Sequence, residues 1–109
     1  MATNYKVLGQ SAPAATTEAD LYTVPAATQT IVSTITVANK AATAGTYRVY
    51  VRPAGASVVD EHYLVYDASL PANATDTLTL GVTLVATDVV SVYASSADFS
   101  FNAFGSEIS

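Results

Sequence analysis

The amino-acid sequence predicts an all-β protein, a single antiparallel β-sandwich of about eight short strands with a jelly-roll-like arrangement. Three observations support this fold class. Thr, Val and Tyr, which favour strands, are abundant. Apolar and polar residues repeatedly alternate with a period of two, whereas no sustained apolar stripe has helical spacing. Turn residues separate the alternating runs at intervals of roughly 8 to 12 residues, a spacing typical of sandwiches.

The first part of the chain is predicted to hold one short strand followed by a loop. Asn4–Leu8 is the strand, and Gly9 ends it. Ser11–Thr17 is rich in small residues and contains Pro13, so we interpret it as a loop that serves as an arm. A helix over Ala12–Ala19 is the alternative, which the proline and two adjacent threonines disfavour.

Two further strands precede the centre of the chain. Asp20–Val24 is short and is stopped by Pro25, and Gln29–Asn39 is the longest clean strand candidate. The alternation within this longest run predicts one buried side. One face comprises Ile31, Ser33, Ile35 and Val37, and the other comprises Thr30, Val32, Thr34 and Thr36.

A hairpin is predicted at the centre of the chain, over Thr46–Asp67. Two alternating runs rich in Tyr and Val flank Pro53-Ala54-Gly55, and aromatic residues occur on both predicted faces. The connection Pro53–Asp60 is longer than a two-residue turn, so the sequence does not determine the register of the hairpin.

Four candidate strands follow the hairpin. Thr77–Leu80 and Val82–Val85 are separated by Gly81, which suits a bulge or a turn. Val89–Ala94 and Asp98–Phe104 complete the predicted set.

Length and composition indicate one domain that needs a partner. The 109 residues form a single domain in which 1–19 is a possible N-terminal strand and arm. Hydrophobic residues make up 50% of the chain and charged residues only 12%, against about 25% charged in typical soluble domains. Since this leaves little charge to cover a free surface, we expect some apolar surface to face a partner, although Ala is tolerated outside.

Charge and cysteine content exclude several function classes. Nine acidic and four basic residues give a formal charge of -5, which disfavours nucleic acid as a direct partner. No run approaches about 18 apolar residues and no signal segment is recognisable, so we expect neither a membrane span nor secretion by a standard signal. Without Cys there is no disulfide, thiolate nucleophile or Cys-type zinc site.

One local group of residues has metal-binding or acid/base potential, Asp60-Glu61-His62 with Asp67 nearby. Adjacent residues of a strand point to opposite faces, and a single imidazole is a thin basis for a transition-metal site. We therefore interpret His62 as a surface or interface residue. A nucleophile elbow and a glycine-rich phosphate loop are also absent. The sequence thus predicts no catalytic residue, no metal and no cofactor.

The central hairpin is instead a candidate interface. Its tyrosines suit cross-strand pairing and interface anchoring, with a carbohydrate-stacking platform as the alternative. Arg48 and Arg52 share one strand face. There they could bind acidic residues of a neighbouring subunit, such as Asp60 or Glu61. The candidate protein-interface residues are Tyr5, Lys6, Arg48, Tyr50, Arg52, His62 and Tyr66.

Six segments, taken together in their order along the chain, carry a family resemblance. They are LYTVPAAT (Leu21–Thr28), YRVYVRPAG (Tyr47–Gly55), EHYLVYD (Glu61–Asp67), LTLGVTL (Leu78–Leu84), DVVSVYA (Asp88–Ala94) and FNAFGSEIS (Phe101–Ser109). Together they resemble a family of small structural proteins from tailed bacteriophages, including phages of cyanobacteria.

The resemblance implies a virion protein without enzymatic activity. Its most plausible role is that of a capsid decoration or cement protein that bridges subunits of the major capsid protein. The implied partners are that protein and copies of this chain, as a trimer or dimer, and neither nucleic acid nor membrane. The alternative is a tail- or fibre-associated protein that binds host surfaces or glycans.

Overall fold

A computed structural model describes residues 2–109 as two four-stranded antiparallel sheets. The strands are β1 (Thr3–Ser11), β2 (Ala19–Thr23), β3 (Gln29–Asn39), β4 (Gly45–Arg52), β5 (Tyr63–Leu70), β6 (Thr75–Leu84), β7 (Val89–Ala94) and β8 (Phe99–Ile108). The first sheet has the strand order β1-β8-β3-β6, and the second sheet has the order β2-β7-β4-β5. Two short 3-10 turns, Pro53–Gly55 and Asp60–His62, lie between β4 and β5.

The strand pairing is nested around the central hairpin. β4 pairs with β5, β3 with β6, β2 with β7 and β1 with β8, all antiparallel. Strands that follow each other in sequence otherwise alternate between the two sheets, which is the arrangement of a jelly roll. The predicted all-β jelly-roll sandwich of eight strands is therefore confirmed.

The core between the sheets is built around three aromatic rings. Tyr47 of the second sheet packs against Phe99 and Phe101 of the first, with ring centroids 6.3 and 6.2 Å apart. All three side chains are buried, and such tilted and edge-on contacts are favourable beyond the burial of apolar area. Aliphatic residues complete the core: Leu21, Val24, Val32, Ile35, Val37, Val49, Leu70, Leu84, Val90 and Val92.

A bulge in β3 changes which residues of that strand face the core. The pairing of β3 with β8 shifts between Val32 and Thr34, so Ser33 is an extra residue. Ile35 faces the core as predicted, but Val32 is 0% exposed and Ile31 is 39% exposed. The predicted sides of Ile31 and Val32 are thus wrong, because one extra residue inverts the alternation on one side of a bulge.

Two other strands also differ from their predicted bounds. β1 continues past Gly9 to Ser11, because an irregularity between Val7 and Gly9 lets the strand bend without ending. β6 is one continuous strand that contains Gly81, with a register shift against β3 nearby. The predicted separation of Thr77–Leu80 and Val82–Val85 into two strands is therefore wrong. The bulge that Gly81 suggested is present. No helix occurs between β1 and β2.

Two glycines allow backbones to approach closely. A Cβ on Gly9 would collide with the carbonyl oxygen of Leu21, at the corner where β1 meets β2 of the other sheet. A Cβ on Gly105 would collide with the carbonyl oxygen of Ile31, beside the β3 bulge. Both positions need a residue without a side chain, because the obstructing atoms belong to the backbone.

We expect Gly105→Ala to lower the free energy of unfolding by about 3 kcal/mol, since the added methyl group overlaps backbone that cannot move without disturbing β3. Gly81→Ala is the matched control, because its Cβ would meet nothing within 4 Å. Urea unfolding of both variants checks this expectation. Equal stability of the two variants would contradict it.

Candidate functional site

The outer face of the second sheet carries a cluster that we call the tyrosine–arginine face, formed by Arg48, Tyr50, Arg52, Tyr63, Tyr66 and Tyr93. Arg48 lies at its centre. The guanidinium carbon of Arg48 is 4.4 Å from the ring centroids of both Tyr66 and Tyr93. Its Nε donates to Oδ1 of Asp67 at 2.7 Å, and its Nη2 donates to Oδ2 at 3.2 Å. The arginine is thus held by two rings and a bidentate carboxylate.

This arrangement depends on a bulge in β5 that the sequence did not reveal. Tyr47 pairs with Ala68, whereas Val49 pairs with Val65. Two residues of β5, Tyr66 and Asp67, therefore face the single residue Arg48. Asp67 has a φ of 51°, a conformation that Asp tolerates better than most residues. The only sequence signal is an Asp at the end of an otherwise regular Tyr/Val run.

The second arginine of this face is also bound within the chain. Arg52 donates through Nη2 to Asp20 at 2.9 Å and through Nε to Ser91 at 3.0 Å. Its Nη1 donates to the carbonyl oxygens of Gly55 and Ala56 and so closes the turn after β4. The arginine thereby joins β4, β7, β2 and the turn after β4.

A tyrosine ladder runs beside the arginines. The centroids of Tyr50 and Tyr63 are 5.1 Å apart and those of Tyr63 and Tyr66 are 4.7 Å apart, both edge-on. Tyr50 is only 2% exposed, and its hydroxyl donates to Glu18 at 2.6 Å. Burial and this hydrogen bond raise the pKa of Tyr50 above its usual value. Both arginines and Tyr50 of this face are therefore bonded within the chain.

The outer face of the first sheet is different, and we call it the neutral face. Its outward positions follow from the strand pairing and the burial of the alternate residues. In residues 2–109 these positions carry no charged side chain. They include the apolar residues Tyr5, Val7, Ile31, Phe104 and Ile108 and the threonines Thr34, Thr36, Thr77, Thr79 and Thr83.

The charged residues of the first sheet lie on its other side. Paired residues lie on the same face of a sheet, and Glu107 is paired with Thr30, which is fully buried. Lys6 is paired with Gly105, two residues before Glu107 on β8, and therefore lies on the same inner face. Glu107 accepts hydrogen bonds from Lys6 at 3.1 Å and from the hydroxyl of Tyr22 at 2.6 Å. Because Tyr22 belongs to the second sheet, this network joins the two sheets at one end of the sandwich.

A second tyrosine–carboxylate hydrogen bond joins the sheets at the opposite end. The hydroxyl of Tyr47, on β4, donates to Asp76 of β6 at 2.9 Å. Burial and this bond raise the pKa of Tyr47 above its usual value. Burial and the hydrogen bond to Glu107 raise the pKa of Tyr22 to about 12. The hydrogen bond that Glu107 accepts from Tyr22 is the main cause that lowers the pKa of Glu107 below its usual value. The hydrogen bond from Lys6 lowers this pKa further.

The seven predicted interface residues do not form one surface: four of them lie on the tyrosine–arginine face, and Tyr5, Lys6 and His62 lie elsewhere. Tyr5 is 85% exposed on the neutral face, and Tyr66 is 59% exposed on the tyrosine–arginine face. Lys6 and the two arginines pair with acids of their own chain, namely Glu107, Asp67 and Asp20. Tyr50 is buried, so it contributes no free surface in the single chain. His62 lies in a turn, where its Nδ1 accepts the N–H of Val59 at 3.3 Å.

The group Asp60-Glu61-His62 forms a 3-10 turn and not part of a strand. The expected geometric reason for excluding a metal there was therefore wrong. Across residues 2–109, no cluster of three or more His, Asp or Glu side chains could hold a metal ion. No helix in the part of the chain that the structure describes is long and apolar enough to cross a membrane.

Comparison with known proteins adds no relative. No family model matches this chain, and no curated protein matches it in sequence. The resemblance to structural proteins of tailed bacteriophages therefore stays a prediction. The fold and its surfaces define a jelly-roll domain with one internally bonded outer face and one neutral outer face.

Acid is expected to destabilise the protein partly through Glu107. Its pKa is lowered by folding, so its contribution is present above its usual pKa near 4.5 and is lost as the pH falls through the lower folded-state value. Tyr22→Phe removes the largest cause of this shift. Urea unfolding at several pH values below 5 should therefore show a shallower pH dependence in Tyr22→Phe than in the wild type. Parallel curves would refute this assignment.

We also expect Tyr47→Phe to lower the free energy of unfolding by about 2 kcal/mol, because Asp76 loses a charged hydrogen bond at the edge of the core. Tyr5→Phe provides the matched control, since Tyr5 is exposed and its change should stay within about 0.5 kcal/mol. Denaturant unfolding measures both variants. A Tyr47→Phe variant as stable as the control would show that the bond contributes nothing.

Proposed function

We propose that this chain is a non-enzymatic structural protein of a bacteriophage virion, a decoration or cement protein that stabilises the capsid by bridging subunits of the major capsid protein. The neutral face is the observation that carries this proposal. An uncharged sheet face with exposed Tyr5, Val7 and Ile31 is unusual for a free surface, which normally intersperses charges. This supports the proposal that the chain is a subunit of an assembly.

The rest of the molecule suits a mechanical role. The two sheets are joined by a buried aromatic core and by a tyrosine–carboxylate bond at each end. Both arginines and Tyr50 of the tyrosine–arginine face are bonded within the chain, which restricts these side chains before any partner binds. A rigid subunit loses little conformational freedom on binding, and repeated contacts on a symmetric shell add effective concentration.

The second candidate function is a tail- or fibre-associated module that binds host surfaces or glycans. Tyr66 favours it, because this ring is 59% exposed, and exposed tyrosines suit sugar stacking. Against it, Arg48 already lies over the ring of Tyr66, and Tyr63 packs edge-on beside it. The ring is therefore partly covered by its own chain.

Purified protein is expected to bind isolated phage capsids that lack it, with a saturable number of copies per shell and with increased resistance of the shell to heat. Co-sedimentation and electron microscopy of the decorated shells measure this. Tyr66→Ala is expected to leave shell binding intact, since sugar stacking by this ring belongs only to the second candidate function.

Glycan binding serves as the opposing measurement. Binding of the protein to host-cell glycans that is lost in Tyr66→Ala, together with density confined to the tail in intact particles, would replace the cement function with the second candidate. Absence of both shell and glycan binding would overturn both functions.

A further inference from the structure

We propose that the neutral face packs against the same face of a second copy of this chain, so that two sandwiches form a two-fold dimer of four stacked sheets. This proposal deepens the function proposed above and rests on it, because it names the occupant of the surface on which that function depends. The charge, area and shape of the neutral face support this dimer.

The distribution of charge favours a second copy over a charged partner. The chain carries a net charge of -5, yet the outward positions of the first sheet within residues 2–109 are all uncharged. A basic protein surface would be attracted to the acidic loops, not to this face. An uncharged face is matched best by another uncharged surface, and the same face of a second copy is an uncharged surface.

The size of the face suits a stable dimer. Four strands spaced about 4.8 Å apart and about ten residues long cover roughly 600 Å² of flat area. Side-chain relief makes the solvent-accessible area larger than this, so the face approaches the roughly 800 Å² that each partner buries in a standard interface. Threonine hydroxyls and apolar side chains together give the mixed composition that such interfaces have.

Two features at opposite edges of the face suit a two-fold contact. Tyr5 projects from β1 at one edge of the first sheet, and Gly81 lies on β6 at the other edge. Nothing lies within 4 Å of where a Cβ on Gly81 would be, so this edge has a gap. A two-fold axis parallel to the strands exchanges the two edges and sets Tyr5 of each copy over the gap at the partner's Gly81.

Sedimentation velocity over a range of protein concentrations tests the proposal. The wild type is expected to be a dimer whose dissociation changes little with added salt, because the interface holds no charges. Tyr5→Lys and Gly81→Lys are each expected to weaken dimerisation at least about tenfold by burying a charge. Both positions are exposed and uncrowded, so the variants should keep the wild-type circular dichroism. Ser57→Lys, with the same charge change in the exposed loop between β4 and β5, should dimerise like the wild type.

Three results would overturn the dimer: a wild type that is monomeric at all concentrations, a trimer, or a dimer that both lysine variants leave intact. Shell binding, measured separately, distinguishes this failure from failure of the proposed function. A monomer that still binds undecorated capsids refutes only the dimer. A dimer that Tyr5→Lys dissociates but that binds no shell refutes only the capsid function.

Discussion

Both outer faces of this protein depend on which residues of each strand point toward the core and which point toward solvent. One extra residue in β3, Ser33, places Val32 and Ile35 on the same side of the first sheet, and an irregularity after Val7 does the equivalent in β1. β8 runs between these two strands and alternates without interruption. Were the bulge in β3 absent, one half of that strand would turn its buried residues outward. The neutral face is therefore a product of register as much as of composition.

The fold was largely predictable because its strands are regular where they are buried. The bounds of β3 and β7 coincide with Gln29–Asn39 and Val89–Ala94, and the central hairpin forms as expected. The bulges were not predictable, because a residue such as Ser33 has nothing unusual in its own sequence. Its position is determined by the partner strands on each side, and those pairings are made between residues far apart in the chain.

The surfaces were less predictable than the fold, and for a related reason. The alternation correctly placed Arg48 and Arg52 on one face. Their ion pairs within the chain were not predictable, because the pair of Arg48 depends on the β5 bulge and the pair of Arg52 depends on the proximity of β2. The side chain of Tyr50 looked exposed in sequence and is covered by residues from a distant loop. The exposure of Tyr5, by contrast, follows from its place on an edge strand. Low charge was visible in the composition, but the lack of charged side chains on the neutral face of residues 2–109 was not.

The nested pairing of strands around the β4–β5 hairpin has a consequence for how the chain folds. Each further pair, from β3 with β6 to β1 with β8, closes a loop that includes all of the pairs inside it, and the last joins Thr3 to Ile108. Loop closure becomes only slowly more costly with length, but contacts of such long range make folding slow. Pairing that begins at the hairpin would leave β8 without β1 until late, with an unpaired edge exposed. The hairpin is thus the natural nucleus, and the two ends of the chain are the natural last step.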